Sequence, residues 1–177
     1  YEEVYFYPKD YPEYYLQLTR EATFRKKTST GRFVFIELQW APLPSIFNFP
    51  YHNEYFFSNT RSLKIIGEEI NTPGLEQHLI ILLIHHGIAD LWRNLKHVFD
   101  IAMFCQRYKD AIRWDIVEEY IRKEKFVVNA KVGIQLCEIL FGVQIPLLSS
   151  LPHEDLKTEI ALKSLLQYPL LVKSKKS

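Results

Sequence analysis

The stretch Leu75-Glu76-Gln77-His78-Leu79-Ile80-Ile81-Leu82-Leu83-Ile84-His85-His86-Gly87-Ile88-Ala89-Asp90 carries the densest structural information in this chain. From Leu75 to His86 apolar side chains fall on nearly every face, which marks an internal helix that other elements must surround. Thr72-Pro73 ahead of it offers an N-cap and a first-turn proline. Beyond it Leu91, Leu95, Val98, Ala102 and Cys105 recur at intervals of three and four, with Trp92, Phe99 and Met103 widening the stripe. This predicts a long helix over 90–108. Trp114, Val117, Tyr120 and Ile121 predict a third helix, residues 127–141 a fourth ended by Gly142, and residues 155–167 a fifth after Pro152.

Upstream the period changes. Thr23 to Lys27, a polar tip at Thr28-Ser29-Thr30-Gly31, and Arg32 to Trp40 read as a hairpin, since Gly31 supplies a permissive backbone and the second run is β-branched and aromatic. Residues 13–23 read as one short helix before it. Residues 41–60, with Pro42, Pro44 and Pro50 among many aromatics, read as an ordered connection laid over the core, and residues 61–70 as a short strand or hairpin. The fold class is therefore α+β, a small antiparallel sheet followed by an antiparallel helical bundle. The expected parts are a sheet with its aromatic connection over 1–70, a bundle over 71–171 and a frayed basic tail over 172–177.

Composition agrees with a packed protein. The 177 residues are 47% hydrophobic and 15% aromatic, which excludes a disordered or low-complexity chain. Lys+Arg of 22 against Asp+Glu of 21 leaves a net charge of +1, so bulk electrostatics does not draw it to nucleic acid or anionic membrane. The longest apolar run, Leu79 to Ile84, is six residues, far short of the roughly 20 that span a bilayer. Cys105 and Cys137 lie in apolar helical stretches and read as buried free thiols, which suits the cytoplasm. The chain opens on Tyr1 rather than Met, and the expectation is that it is a piece of something longer.

Two places could carry chemistry. On a continuous helix His86, Asp90, Arg93, His97 and Asp100 would share one polar stripe, and imidazoles and carboxylates so spaced can bind a transition metal. Ordinary charge pairing, Lys96 with Asp100 in particular, explains the stripe without a metal and is the preferred reading. The pattern also lacks the adjacent His-Asp pair of HD-class phosphohydrolases. The second place is Glu37, an acid in the middle of Phe33-Val34-Phe35-Ile36-Glu37-Leu38-Gln39-Trp40, which needs a cation, a metal or a wet cleft unless its face is open to water. The chain has no Gly-x-Ser-x-Gly elbow, no P-loop and no Gly-x-Gly-x-x-Gly, so hydrolase and dinucleotide readings fall behind.

The order of motifs then becomes specific. Ile36-Glu37-Leu38-Gln39-Trp40, Thr72-Pro73 before an apolar helix to His86, Trp92-x-x-Leu95-Lys96-x-x-x-Asp100-Ile101-Ala102, Trp114, and Leu140-Phe141-Gly142-Val143-Gln144-Ile145-Pro146 together resemble the uncharacterised nucleotidyltransferase family of DNA polymerase beta-like type. The resemblance covers residues 10–146. It implies a transfer of a nucleoside monophosphate from a nucleoside triphosphate to an acceptor, with magnesium held by three acids. Two acids come from an Asp-x-Asp strand after a Gly-Gly or Gly-Ser loop, and a third from a later strand. Glu37 matches that third acid, as catalytic residue and metal ligand. The chain contains no Gly-Gly, no Gly-Ser and no Asp-x-Asp, so these motifs are expected before Tyr1 and this piece alone is expected to be inactive. Gln39 and Asp90 stand where the family has histidines. His86, Lys96 and Asp100 match and are the candidate substrate-binding residues, although an architectural role for them is preferred. The alternative is a non-catalytic helical module that binds a protein partner through Phe47, Phe49, Tyr51, Tyr55, Phe56 and Phe57.

Overall fold

The computed structural model describes residues 2–3, 19–50, 53–147 and 155–167. They belong to two compact units, 1–50 and 51–177, each with its own architecture. The chain is α+β as expected, with a small antiparallel sheet in each unit and the α-helices of the described residues all in the second.

The first unit is a three-stranded antiparallel sheet in the order β1 (Glu2–Glu3), β2 (Glu21–Lys27), β3 (Phe33–Gln39). The β2–β3 register pairs Glu21 with Gln39, Thr23 with Glu37 and Lys27 with Phe33. Its turn closes through Thr28, whose carbonyl accepts from the Gly31 amide at 3.0 Å and whose amide donates to the Arg32 carbonyl at 2.7 Å. Gly31 takes φ of +82°, the left-handed region where a side chain would be strained. Of the helix expected over 13–23, residues 13–18 lie outside the described residues, and Glu21 to Thr23 are strand. Their backbone pairs with the β-branched and aromatic β3, and that ladder overrides local helix propensity.

The second unit begins with a short helix, α1 (Asn53–Phe57), and a hairpin of β4 (Thr60–Ile65) and β5 (Glu68–Pro73). The hairpin turns on Ile66 and Gly67, both at positive φ, as a two-residue turn requires. Where the sequence places a boundary near residue 70, the units divide after Pro50, because β5 runs through Gly74 directly into the apolar helix. Thr72 and Pro73 do not cap that helix. They complete β5, opposite Arg61 and Thr60, and the helix starts one residue after Gly74, where a Cβ would press on the Gln77 and Asn59 side chains and stand 3.1 Å from the Asn59 carbonyl.

The helices that follow are α2 (Leu75–Ile84), α3 (Leu95–Tyr108), α4 (Trp114–Lys123), α5 (Val127–Phe141) and α6 (Asp155–Gln167). α5 packs against α2, α3, α4 and α6. Leu79, Ile80, Leu83 and Ile84 of α2, Val98, Ile101 and Ala102 of α3, and Ala130, Ile134 and Leu136 of α5 are all buried. Glu76, a buried acid in the apolar α2, accepts a hydrogen bond from the Arg113 amide at 2.9 Å and so satisfies a backbone donor at the start of α4. Cys105 and Cys137 are free and buried, and burial pushes both thiols up, Cys137 to about 12.

The long helix expected over 90–108 begins only at Leu95. α2 widens into a π-turn over His85–Ala89, and the chain then reverses through Leu91 and Trp92, at φ of +51° and +55°. Such a backbone costs energy for bulky residues. The compensation is Trp92, buried at 2% exposure, whose Nε1 donates to the Asn129 carbonyl at 2.9 Å. The Asn129 side-chain amide in turn donates to the Gly87 carbonyl at 3.1 Å, an acceptor in the π-turn. A Cβ at Gly133 would lie 2.2 Å from the Trp92 ring, so only glycine admits the indole there. Asn94 then caps α3, accepting from the Lys96 amide at 3.0 Å.

Candidate functional site

The reversal brings together groups that a straight helix would string out. Asp90 follows the π-turn, and its Oδ2 lies 3.7 Å from His85 Nε2, 3.7 Å from His86 Nδ1 and 3.4 Å from His97 Nδ1. The His86 and His97 rings stack at 4.2 Å and 7°. His86 Nε2 faces Asp100 Oδ2 at 3.9 Å, and the same carboxylate oxygen takes the Lys96 ammonium at 2.6 Å. His86 is 6% exposed, and neither of its ring nitrogens, nor Nδ1 of His97, has a hydrogen-bond partner.

Burial is the largest cause of the low His86 pKa, followed by the neighbouring imidazoles of His97 and His85. Together they outweigh Asp100 and Asp90 and hold it at about 4. Burial also lowers His97. Both rings are therefore neutral at neutral pH, with lone pairs available.

Of the residues marked from sequence, His86, Lys96 and Asp100 meet at this elbow, and Lys96 forms its expected pair with Asp100. Trp92 fills the helical core as an architectural residue. Arg93 leaves the stripe: its Nε donates to the backbone carbonyl of Asp90 at 3.2 Å rather than to a carboxylate. His85 has no place on the sequence stripe, because consecutive residues of a helix point about 100° apart. The π-turn and the reversal are what set Asp90 within reach of both His85 and His86. The signal for it was a doubled histidine followed by glycine and then tryptophan.

A small apolar cavity of about 160 Å³ adjoins the other side of Trp92, between Leu91, Val132, Ala161 and Leu165. Among the described residues its polar side-chain groups are the Asn129 amide, which donates to the Gly87 carbonyl, and the Trp92 indole N–H, which donates to the Asn129 carbonyl. It offers shape without acid–base chemistry.

Glu37 sits in the first unit, on β3, opposite Thr23. All seven residues of β3 are exposed, Phe35 at 58% and Leu38 at 60%. The alternation of side chains thus does not bury Glu37 on an apolar face. Its carboxylate is open to solvent, which removes the desolvation cost that an acid between phenylalanines suggests. The next acid along that face, Glu21, accepts from Gln39 Nε2 at 2.8 Å and pairs with Arg20 at 3.2 Å.

Of the residues expected to contact a protein partner, Phe47 and Phe57 are exposed, whereas Phe56 is 2% exposed and belongs to the core. Tyr55 stacks on Tyr120 at 4.7 Å. Tyr51 lies outside the described residues. Among the described residues no helix is long and apolar enough to cross a membrane.

No curated protein and no solved structure matches the chain. One family profile does, over residues 2–142, a span that takes in the sheet, the elbow and α5. The chain belongs to the uncharacterised nucleotidyltransferase family.

Proposed function

We propose that this chain serves the transfer of a nucleoside monophosphate from a nucleoside triphosphate to an acceptor, with Glu37 as one of the acids at the reacting phosphate. Membership of the nucleotidyltransferase family over residues 2–142 is the observation that carries this reading. In such a transfer an acceptor atom attacks the α-phosphorus and forms the new bond. The bond between the α-phosphorus and the bridging oxygen breaks, and pyrophosphate leaves with that electron pair.

Magnesium would supply charge neutralisation in this chemistry. The described residues do not fit a magnesium centre by themselves. No group of three potential ligands among them includes Glu37, and the sequence has no Asp-x-Asp. Glu37 contributes one exposed carboxylate, and the remaining acids have to come from outside these groupings. His86, Lys96 and Asp100 are proposed as substrate contacts only through the family match. Their geometry already accounts for Lys96 and Asp100 as an ion pair. The two buried free thiols support a reducing compartment such as the cytoplasm.

A second reading, a non-catalytic module that binds a protein partner, is favoured by the exposure of Phe47 and Phe57. One experiment separates the two. The 177-residue chain and the gene's intact native product are each incubated with α-labelled nucleoside triphosphates and magnesium. The intact product's mass shows what accompanies these residues. Transfer by the intact product, lost in Glu37→Gln with an unchanged circular dichroism spectrum, is the expected result, with none from the 177 residues alone. Magnesium-dependent transfer by those 177 residues would overturn the requirement for further acids. An intact product with neither the motifs nor transfer would establish the second reading.

A further inference from the structure

The elbow between α2 and α3 holds a carboxylate that no lysine or arginine among the described residues neutralises. Lys96 neutralises Asp100, and the carboxylate left over is that of Asp90. Arg93, the nearest in sequence, is spent on its backbone carbonyl. Asp90 instead faces three imidazole nitrogens at 3.4 to 3.7 Å. These separations are too long for hydrogen bonds, which run to about 3.2 Å. They are close to the spacing of ligands around one shared ion: metal–nitrogen bonds of roughly 2.0–2.1 Å in a tetrahedron set neighbouring donors about 3.3 Å apart.

We propose that His85, His86 and Asp90 bind one divalent transition-metal ion of the zinc class, with its fourth position left to an outside ligand. One ligand atom from each of the three lies within 4.8 Å of the others, whereas the His97 ring, stacked parallel on His86, cannot aim its lone pair at the same ion. Imidazole with carboxylate is a donor set for zinc, cobalt or nickel rather than for magnesium or calcium. The orphaned nitrogens of His86 fit the same assignment. With Nδ1 turned to the ion, Nε2–H points to Asp100, which Lys96 holds in place. At 3.9 Å the two do not hydrogen-bond, but Asp100 stands on the side from which the carboxylate of a carboxylate–histidine–metal arrangement closes in. The support is rigid: Trp92 and Asn129 pin the turn that carries both histidines. The site lies wholly within the helical unit and does not depend on Glu37 or on nucleotidyl transfer.

The test uses the purified chain, stripped with a chelator, and the metal alone. Zinc titration by calorimetry is expected to show one ion per chain, and cobalt to develop visible ligand-field bands. Asp90→Asn and His85→Gln each replace a part-exposed side chain and are expected to weaken binding by at least about 100-fold. Lys163→Met, an exposed residue of α6 whose partner is Glu159, is expected to leave binding unchanged. Circular dichroism of each metal-free variant confirms that it folds. A folded wild-type chain that binds neither ion, or binding equal to wild type in both Asp90→Asn and His85→Gln, overturns the proposal.

Discussion

β3 and the α2–α3 elbow both present polar groups among aromatic residues, yet they solve the problem of placing them in opposite ways. On β3 a single carboxylate stands in an exposed strand, and its neighbours in register are a threonine and charged residues that already have partners. At the elbow five titratable groups crowd within 4 Å of one another in pairs, on a backbone that is strained and pinned. The strand offers a lone accessible charge, and the elbow a cluster in which one carboxylate, Asp90, is left over once Lys96 neutralises Asp100. A residue at the first can be changed with little structural consequence, whereas the second is inseparable from the fold.

That contrast breaks most decisively at Trp92. Trp92→Ala empties the space against Gly133 and Gly87 and removes the bond to Asn129, and should cost about 4 kcal/mol in urea or guanidinium unfolding. A loss below about 1 kcal/mol would mean that the strained turn does not depend on the indole.

Acid sharpens the comparison next. The His86 pKa is about 4 in the folded chain against about 6.5 unfolded, so the unfolded state takes up the proton first as pH falls. Metal-free chain should hold this stability fully above about pH 6.5 and lose it as pH falls toward 4, by about 3 kcal/mol. Thermal melts across that window check it, and His86→Gln should flatten the slope.

The smallest effect belongs to the strand. Glu37→Gln should change the stability of the chain by less than about 0.5 kcal/mol, since the side chain is exposed and makes no buried contact. A larger loss in chemical unfolding would place Glu37 in the architecture rather than in chemistry.

Much of the fold was legible because local rules agreed with tertiary packing. α5 ends at Gly142 in the left-handed conformation, and α6 covers the residues its pattern marked. The β2–β3 hairpin formed around Gly31 as its composition indicated. The misses share one cause, a tertiary partner that outweighs a local signal. Thr72-Pro73 looks like a helix start, but pairing with β4 claims it as strand. Leu91 and Trp92 look like continuing helix, because nothing in periodicity announces a positive φ at an aromatic residue. Of the site, His86, Lys96 and Asp100 could be named in advance from spacing and family motif. His85 stood in the His85-His86-Gly-Ile-Ala-Asp90 run, but off the helical stripe, and its meeting with Asp90 depends on the turn. Likewise, alternation on β3 told which residues share a face with Glu37 but not that both faces are open.

The π-turn at His85–Ala89 has a consequence for how this site could arise or be lost. Such a turn is equivalent to one surplus residue within an α-helix. Removing or adding a single position there without a matching change of winding would swing everything that follows by roughly 100°. Asp90 would rotate away from the two histidines although every participating side chain was still in the sequence. The meeting of these groups is thus set by a count of residues along the backbone, and length variation between 85 and 89 is a more sensitive marker of the site than any substitution within it.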